Sequence, residues 1–334
     1  MKKTLAIILT LVMAFALVAC GKTDDADNGD GDASDKKILL SMGAGSPGGS
    51  QQVYVGGCAS LVSQYANNVE LLPEASGSGG STADLAAMVQ GEAELCFVSN
   101  AAAQKTYATP EGAGLRAVWG AFPQEFIIVT NNPNVNNIED LAGKVVAIGP
   151  AGGTPESSSH EVFDCLGIDA ELITMQWSDC FTSLAEGKVD AVTGACGNPT
   201  SALMEAETMF DCHWVSFTDE QMDKILGTYN HFGKVSMTTD YYTDLKAEMG
   251  AGSTYNTLGI WMCVYSREDV SEEGVYQVVK AVMDHHDELV SSTHAAAAYT
   301  VPEAVKNAGV PLHKGALRYY QEIGVEIPAE LIDE

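Results

Sequence analysis

Along this chain the spacing of apolar positions switches repeatedly between the helical and the extended period. The run "KILL" (37–40) reads as a short buried strand, "VYVGGCASLVSQYA" (53–66) has helical spacing, and "VELLPEAS" (69–76) is extended. "STADLAAMVQG" (81–91) predicts a helix with Ser81 as N-cap and Gly91 as its stop, and "AELCFVS" (93–99) a buried strand. This β-α-β-α-β order predicts a parallel sheet with right-handed crossovers.

The same order then recurs. "IEDLAG" predicts a short helix, "KVVAIG" a strand, "PAGGTPESSS" a loop, "HEVFDCLG" a helix, "ELITMQW" a strand, "SDCFTSLAEGK" a helix and "VDAVTGA" a strand. "LAAMVQGEAELCFV" (85–98) and "SLAEGKVDAVTG" (183–194) both run helix, glycine stop, acidic residue, buried strand, the mark of a structural duplication. The apolar stretch 115–130 is suited to cross from a first lobe to a second, and 255–266 to carry the chain back. The C-terminal helices, "EEGVYQVVKAVMDHHDELV" and "PEAVKNAG", then complete lobe one.

Each unit leaves its first strand through a loop poor in side chains. "SMGAGSPGGSQQ" (41–52) holds four glycines, three serines and a proline. Such a loop lets backbone N–H groups approach a bound anion, and open α/β sheets bind ligands beyond the carboxyl ends of their strands, where helix N-termini point.

The ends of the chain set its location. "MKKTLAIILTLVMAFALVACG" combines a basic start with a short apolar run and small residues before Cys20, as in an export signal. Leu17 to Cys20 resemble the bacterial lipobox, which implies lipidation of Cys20. Residues 21–36 carry six aspartates and almost nothing apolar, so they read as a disordered tether. The expected product is extracytoplasmic and lipid-anchored to the bacterial membrane.

From Lys37 onward about 298 residues remain, a length that suits two domains. A formal net charge of −28 excludes a nucleic-acid partner. A small anion stays open, because helix N-termini make a pocket locally positive. The eight cysteines form no C-x-x-C pair, and with Cys20 lipidated the seven others read as buried thiols. Adjacent His285 and His286 share no helix face, so no metal is called for, and no cofactor.

Several segments resemble the TAXI-type solute-binding receptors of TRAP transporters: "GAGSPGG", "ASGSGGSTADLAAMVQGEAELCFVS", "LRAVWGAFPQEFIIVT", "IEDLAGKVVAIGPAGGTPE", "LAEGKVDAVTGACGNPTSAL" and "VPLHKGALRYYQEIG". The resemblance spans Lys37 to about Glu326. It implies a two-lobed type II periplasmic-binding-protein fold, α/β in class, with the ligand cleft between lobes. Lobe 1 is expected over 37–125 and 260–334 and lobe 2 over 126–259. It further implies a monomeric receptor that captures a small organic anion or amino acid, with 2-oxoglutarate or glutamate as examples, for TRAP membrane permease subunits driven by an ion gradient.

Carried over residue by residue, the resemblance places ligand-binding positions at Ser46, Gly49, Ser50 and Gln51 in and after the first loop, Ser81 at the next helix, and Ser99 and Asn100 at a strand end. In the second lobe it places Gly153, Thr154, Asn198 and Tyr229, with Asn230 and Lys234 nearby. Gln51 and Gln52 stand where relatives have an aromatic pair, and Ala101 where they often have an acid. The missing acid favours a carboxylate without an amino group. A same-fold receptor for an ABC importer or a signalling protein is the alternative. A secreted hydrolase around "TPESSSH" lacks the G-x-S-x-G elbow, so catalysis is not expected.

Overall fold

The computed structural model describes residues 37–45, 50–75 and 80–333. Cys20, the tether and two members of the first loop, Ser46 and Gly49, lie outside the described residues.

β1 (Ile38–Gly43), α1 (Ser50–Tyr65), β2 (Val69–Glu74), α2 (Gly80–Gln90) and β3 (Leu95–Ser99) follow the expected order. β1 pairs in parallel with both β2 and β3. After α3 (Asn100–Tyr107) and the long strand β4 (Leu115–Thr130), a second unit repeats the first: β5 (Val145–Ala147), α4 (Thr154–Leu166), β6 (Glu171–Ile173), α5 (Trp177–Ala185), β7 (Ala191–Cys196) and α6 (Ser201–Ala206). β5 again pairs in parallel with both neighbours, β6 and β7. Gly91 and Gly187, the matching stops, both adopt left-handed backbone, φ 83° and 69°, where a side chain is strained.

β8 (His213–Trp214), α7 (Asp219–Thr228), β9 (Phe232–Thr238) and α8 (Thr243–Met249) lead to the second long strand, β10 (Thr254–Arg267). The chain then closes with α9 (Glu272–Asp284), α10 (His286–Ser292) and α11 (Lys314–Glu322). The strands form one sheet in the order β2-β1-β3-β10-β4-β7-β5-β6, with β9 on β10 and β8 on β4. The order is symmetric about the antiparallel pair β10–β4, so the duplication in sequence is a duplication in space.

Burial follows the same division. One apolar core draws on residues between Leu40 and Phe122 and between Met262 and Leu331. Two others lie between Phe126 and Ile260, and alternate β4 positions supply them: Ile127 and Val129 one, Phe126 and Ile128 the other. These are the two faces of a strand covered on both sides. Between the cores β4 runs through Pro123, Gln124 and Glu125, which pair with Trp261, Ile260 and Gly259 of β10.

Local departures from the sequence reading have local causes. α4 starts at Thr154 and not at His160: Gly153 is its N-cap, Pro155 lies in its first turn, and Glu156 accepts from the Gly152 N–H at 2.6 Å. Ser81 lies inside α2 and does not cap it. β6 ends at Ile173, and Trp177 opens α5 instead of closing the strand. The single helix expected over 272–290 breaks at His285, whose ring stacks on Tyr65. "PEAVKNAG" forms only the turn Val301–Glu303, because Gly309 and Pro311 leave too short a stretch to propagate a helix.

Cys58, Cys96, Cys165, Cys180, Cys196, Cys212 and Cys263 are free thiols, all buried except the half-buried Cys165. Among the described residues no helix is long and apolar enough to cross a membrane.

Candidate functional site

A small pocket, with a cavity volume of about 50 Å3, lies where the two α/β units meet. Its wall is made largely of helix starts. Ser50 opens α1, Ser81 lies in the first turn of α2, Thr154 opens α4, Trp177 opens α5, and Thr200 is the N-cap of α6. These helices follow β1, β2, β5, β6 and β7, so each unit of the duplication presents the carboxyl edge of its strands to the same space. Each helix start offers N–H groups without intrahelical partners and a partial positive charge.

Gln51, Gln124, Pro150, Gly153, Pro155 and Cys196 complete the wall. No charged side chain stands among these lining residues. The stretches 46–49 and 76–79, outside the described residues, contain no ionisable residue in sequence either. An anion here is met by backbone dipoles, hydroxyls and amides without a formal counter-charge, the arrangement by which helix N-termini hold carboxylates and phosphates.

Two buried polar atoms in this wall have no partner among the described residues: Gln124 Oε1 and Trp177 Nε1. Buried polar groups are almost always satisfied, so an unpaired indole N–H donor and an unpaired amide oxygen acceptor at one pocket fit a ligand that carries both an acceptor and a donor, as a hydroxy acid does. Trp177 is held by edge contact with Phe181, ring centroids 5.7 Å apart. Gln51 is steadied by donating to the Phe97 carbonyl at 3.3 Å.

The two units also touch directly over the pocket. Both the N–H and the hydroxyl of Thr82, on α2, donate to the carbonyl of Gly152, at 3.1 and 2.6 Å. The loop before α4 is thereby tied to the first unit.

The structure brings Ser50, Gln51, Ser81, Gly153 and Thr154 together in this pocket. The other expected positions among the described residues are not part of its lining. Ser99 caps α3 by accepting from the Ala102 N–H, and Asn100 Oδ1 is buried without a partner among the described residues. Asn198 is engaged beside the pocket: its Nδ2 donates to Glu125 Oε2 at 3.2 Å, and its Oδ1 accepts from the Tyr242 hydroxyl at 2.6 Å. Tyr229 packs near His231 and Phe232, where His231 meets Glu161 of α4. Asn230 is exposed, and Lys234 is paired with Asp223 at 2.7 Å. Sequence reasoning missed Gln124, Pro150, Trp177 and Cys196, whereas Pro155 and Thr200 fall within the segments 152–156 and 198–200 that the family resemblance assigns to the site. The available signal for Gln124 was a Gln-Glu pair inside an otherwise apolar strand.

Comparison with known proteins agrees with this geometry. The model of a family described as NMT1-like matches residues 42–324. The structure of the periplasmic binding protein BugD is 12% identical, with a TM-score of 0.55 over 88% of this chain and 99% of that chain. MatC from Rhodopseudomonas palustris, solved with bound malate, is 15% identical, with a TM-score of 0.52 over 86% of this chain and 96% of that one. A structure described as a periplasmic transporter gives 12% identity and a TM-score of 0.51, covering 87% of this chain and 94% of that chain. The fold is the two-lobed α/β fold of periplasmic binding proteins, with its cleft between the lobes.

Proposed function

The chain belongs to the NMT1-like family, and from that premise we propose that it is an extracytoplasmic solute-binding lipoprotein that captures a small organic anion by lobe closure. Lobe 1 comprises 37–125 and 260–334 and lobe 2 comprises 126–259, in keeping with the split of the apolar cores. The observation that carries the reading is the convergence of five helix starts on a pocket without a charged side chain.

The same observation favours a ligand without an ammonium group, because no carboxylate lines the pocket to receive one. A dicarboxylate such as malate, the ligand bound to MatC, or 2-oxoglutarate fits this chemistry. The receptor, anchored through lipid at Cys20, hands the ligand unchanged to the permease subunits of a TRAP transporter of the TAXI type. The resemblance of "GAGSPGG" and "VPLHKGALRYYQEIG" to that family supports this delivery route.

A thermal-shift titration tests the reading on protein stripped of ligand by unfolding and refolding. Malate, 2-oxoglutarate, glutamate and glutamine are each added up to saturation. Ligand at about 100 times its dissociation constant adds roughly 2.7 kcal/mol. We expect a shift with the dicarboxylates. A shift confined to glutamine would sink the anion reading.

A further inference from the structure

Glu125 stands in β4 beside pocket-lining Gln124, where the chain passes between the cores, and is only 9% exposed. Asn198 donates to its Oε2 at 3.2 Å, and no lysine, arginine or histidine pairs with it among the described residues. Its side of the crossing opens on a second chamber, shared with Phe122, Asn198, Tyr241 and His294.

Two routes connect this carboxyl group to the ligand pocket. Glu125 is the register partner of Cys196 in β7, and Cys196 lines the pocket. Side chains directly opposite on paired strands start about 5 Å apart. The second route runs through hydrogen bonds. Asn198 Oδ1 accepts from the Tyr242 hydroxyl at 2.6 Å, and that hydroxyl accepts from the N–H of Thr200, another wall residue, at 2.8 Å.

An ionised Glu125 is therefore a buried charge without a counter-ion, and it faces any anion held behind Cys196. A neutral carboxyl removes both penalties. Burial accordingly pushes Glu125 up to about 7. The groups packed around it carry no compensating charge: burial raises the Cys196 thiol and the Tyr241 and Tyr242 hydroxyls, and β10 contributes Gly259 opposite Glu125. Ser236 and Thr238 of β9 line the chamber, and His294 is the imidazole that faces it.

We propose that Glu125 takes up a proton when the pocket takes up its anion, so that capture is favoured in acid and release in alkali. The proposal rests on the reading of the pocket as an anion site. Linkage makes the effect reciprocal: the anion raises the proton affinity of Glu125, and the proton raises the affinity for the anion by the same factor. At separations of this order inside a protein, the coupling is on the order of tenfold.

The test is isothermal calorimetry of the full chain with malate and with 2-oxoglutarate. Titrations at pH 7 in buffers of differing ionisation enthalpy count the protons taken up, and a series from pH 6 to pH 9 gives the affinity profile. We expect uptake of a fraction of a proton per anion and about tenfold weaker binding at pH 9 than at pH 6. Glu125→Gln flattens the profile at the acid-side affinity, while His294→Gln keeps the wild-type slope. Zero uptake, or a slope that persists in Glu125→Gln, overturns the proposal. If that variant does not fold, proton counting on the wild type alone decides.

Thermal stability of the ligand-free chain against pH separates the two ways of failing. If neither anion binds, yet wild type loses stability relative to Glu125→Gln between pH 5 and pH 8, the anion reading falls and the linkage with it. If the two stability profiles run parallel, the proton proposal falls even where the anions bind.

Discussion

Ser50 and Gly197 meet so closely that nothing larger than hydrogen fits at position 197: a Cβ there would lie 2.5 Å from Ser50 Oγ and 2.7 Å from Phe122 Cε2. Ser50 opens the first helix of one unit, and Gly197 follows the last strand of the duplicated unit, so this contact bridges the two units. Gly197→Ala therefore penalises the approach of the two units, and it presses on Phe122 at the edge of the first core as well. We expect the ligand-induced thermal shift to vanish while the midpoint of the ligand-free chain stays within a few degrees. Small-angle scattering reads the same outcome as a larger radius that no longer shrinks on adding malate.

A similar logic applies to the tie over the pocket. Thr82 donates twice to the Gly152 carbonyl, once from its backbone and once from its hydroxyl. Thr82→Val removes only the second bond and keeps the shape of the side chain. Thr82 is exposed, so the net loss is at the low end, about 0.5–1 kcal/mol, which weakens ligand affinity roughly two- to fivefold. The loss is expected in the dissociation rate, measured by stopped-flow mixing, because the tie must break before the two units can part. An unchanged release rate would remove Thr82 from the closing mechanism.

How much of this was legible in the sequence depended on whether a feature is local. β4 and β10 are continuous apolar runs, so the crossing strands could be placed from residues 115–130 and 255–266 alone. The family resemblance assigns Ser50, Ser81 and Thr154 to the site, and all three prove to be hydroxyl residues in the first turn of a helix that follows a strand. Trp177 could not: "ELITMQW" reads as one apolar strand, and only the short pairing of β6 frees the indole to open a helix. Cys196 reads as a small core residue in its run of small and apolar positions. Its place on the wall comes from apposition of two units more than a hundred residues apart, which no spacing encodes. Asn198 illustrates the converse, since a polar residue in a loop looks like a ligand contact while its atoms are spent on Glu125 and Tyr242.

The unpaired indole gives a clean substitution. Trp177→Phe keeps an aromatic ring against Phe181 and deletes the buried N–H that has no partner among the described residues. A hydrogen bond to a charged group is worth about 1.5–3 kcal/mol, so carboxylate affinity is expected to fall at least tenfold. The fold should lose about 1 kcal/mol for the missing ring atoms. Calorimetry and denaturant titration, run side by side, separate these effects. Equal affinity in both proteins would place the ligand away from Trp177.

Glu125 leaves a mark on the ligand-free protein whose sign follows from its burial. Its carboxyl is raised from 4.5 to about 7, so the folded chain holds this proton more tightly than the unfolded chain does. Stability from this group is fully present below pH 4.5 and is lost as the pH rises through 7, the reverse of a carboxylate held in an ion pair. The displacement corresponds to about 3 kcal/mol between those limits. The quantity that isolates this group is the difference in urea unfolding free energy between wild type and Glu125→Gln at pH 5 and at pH 8. Glutamine stays neutral throughout. The wild type should lose about 2–3 kcal/mol relative to the variant over that interval, and a difference that stays constant would show that Glu125 is ionised in the fold and has found a counter-charge.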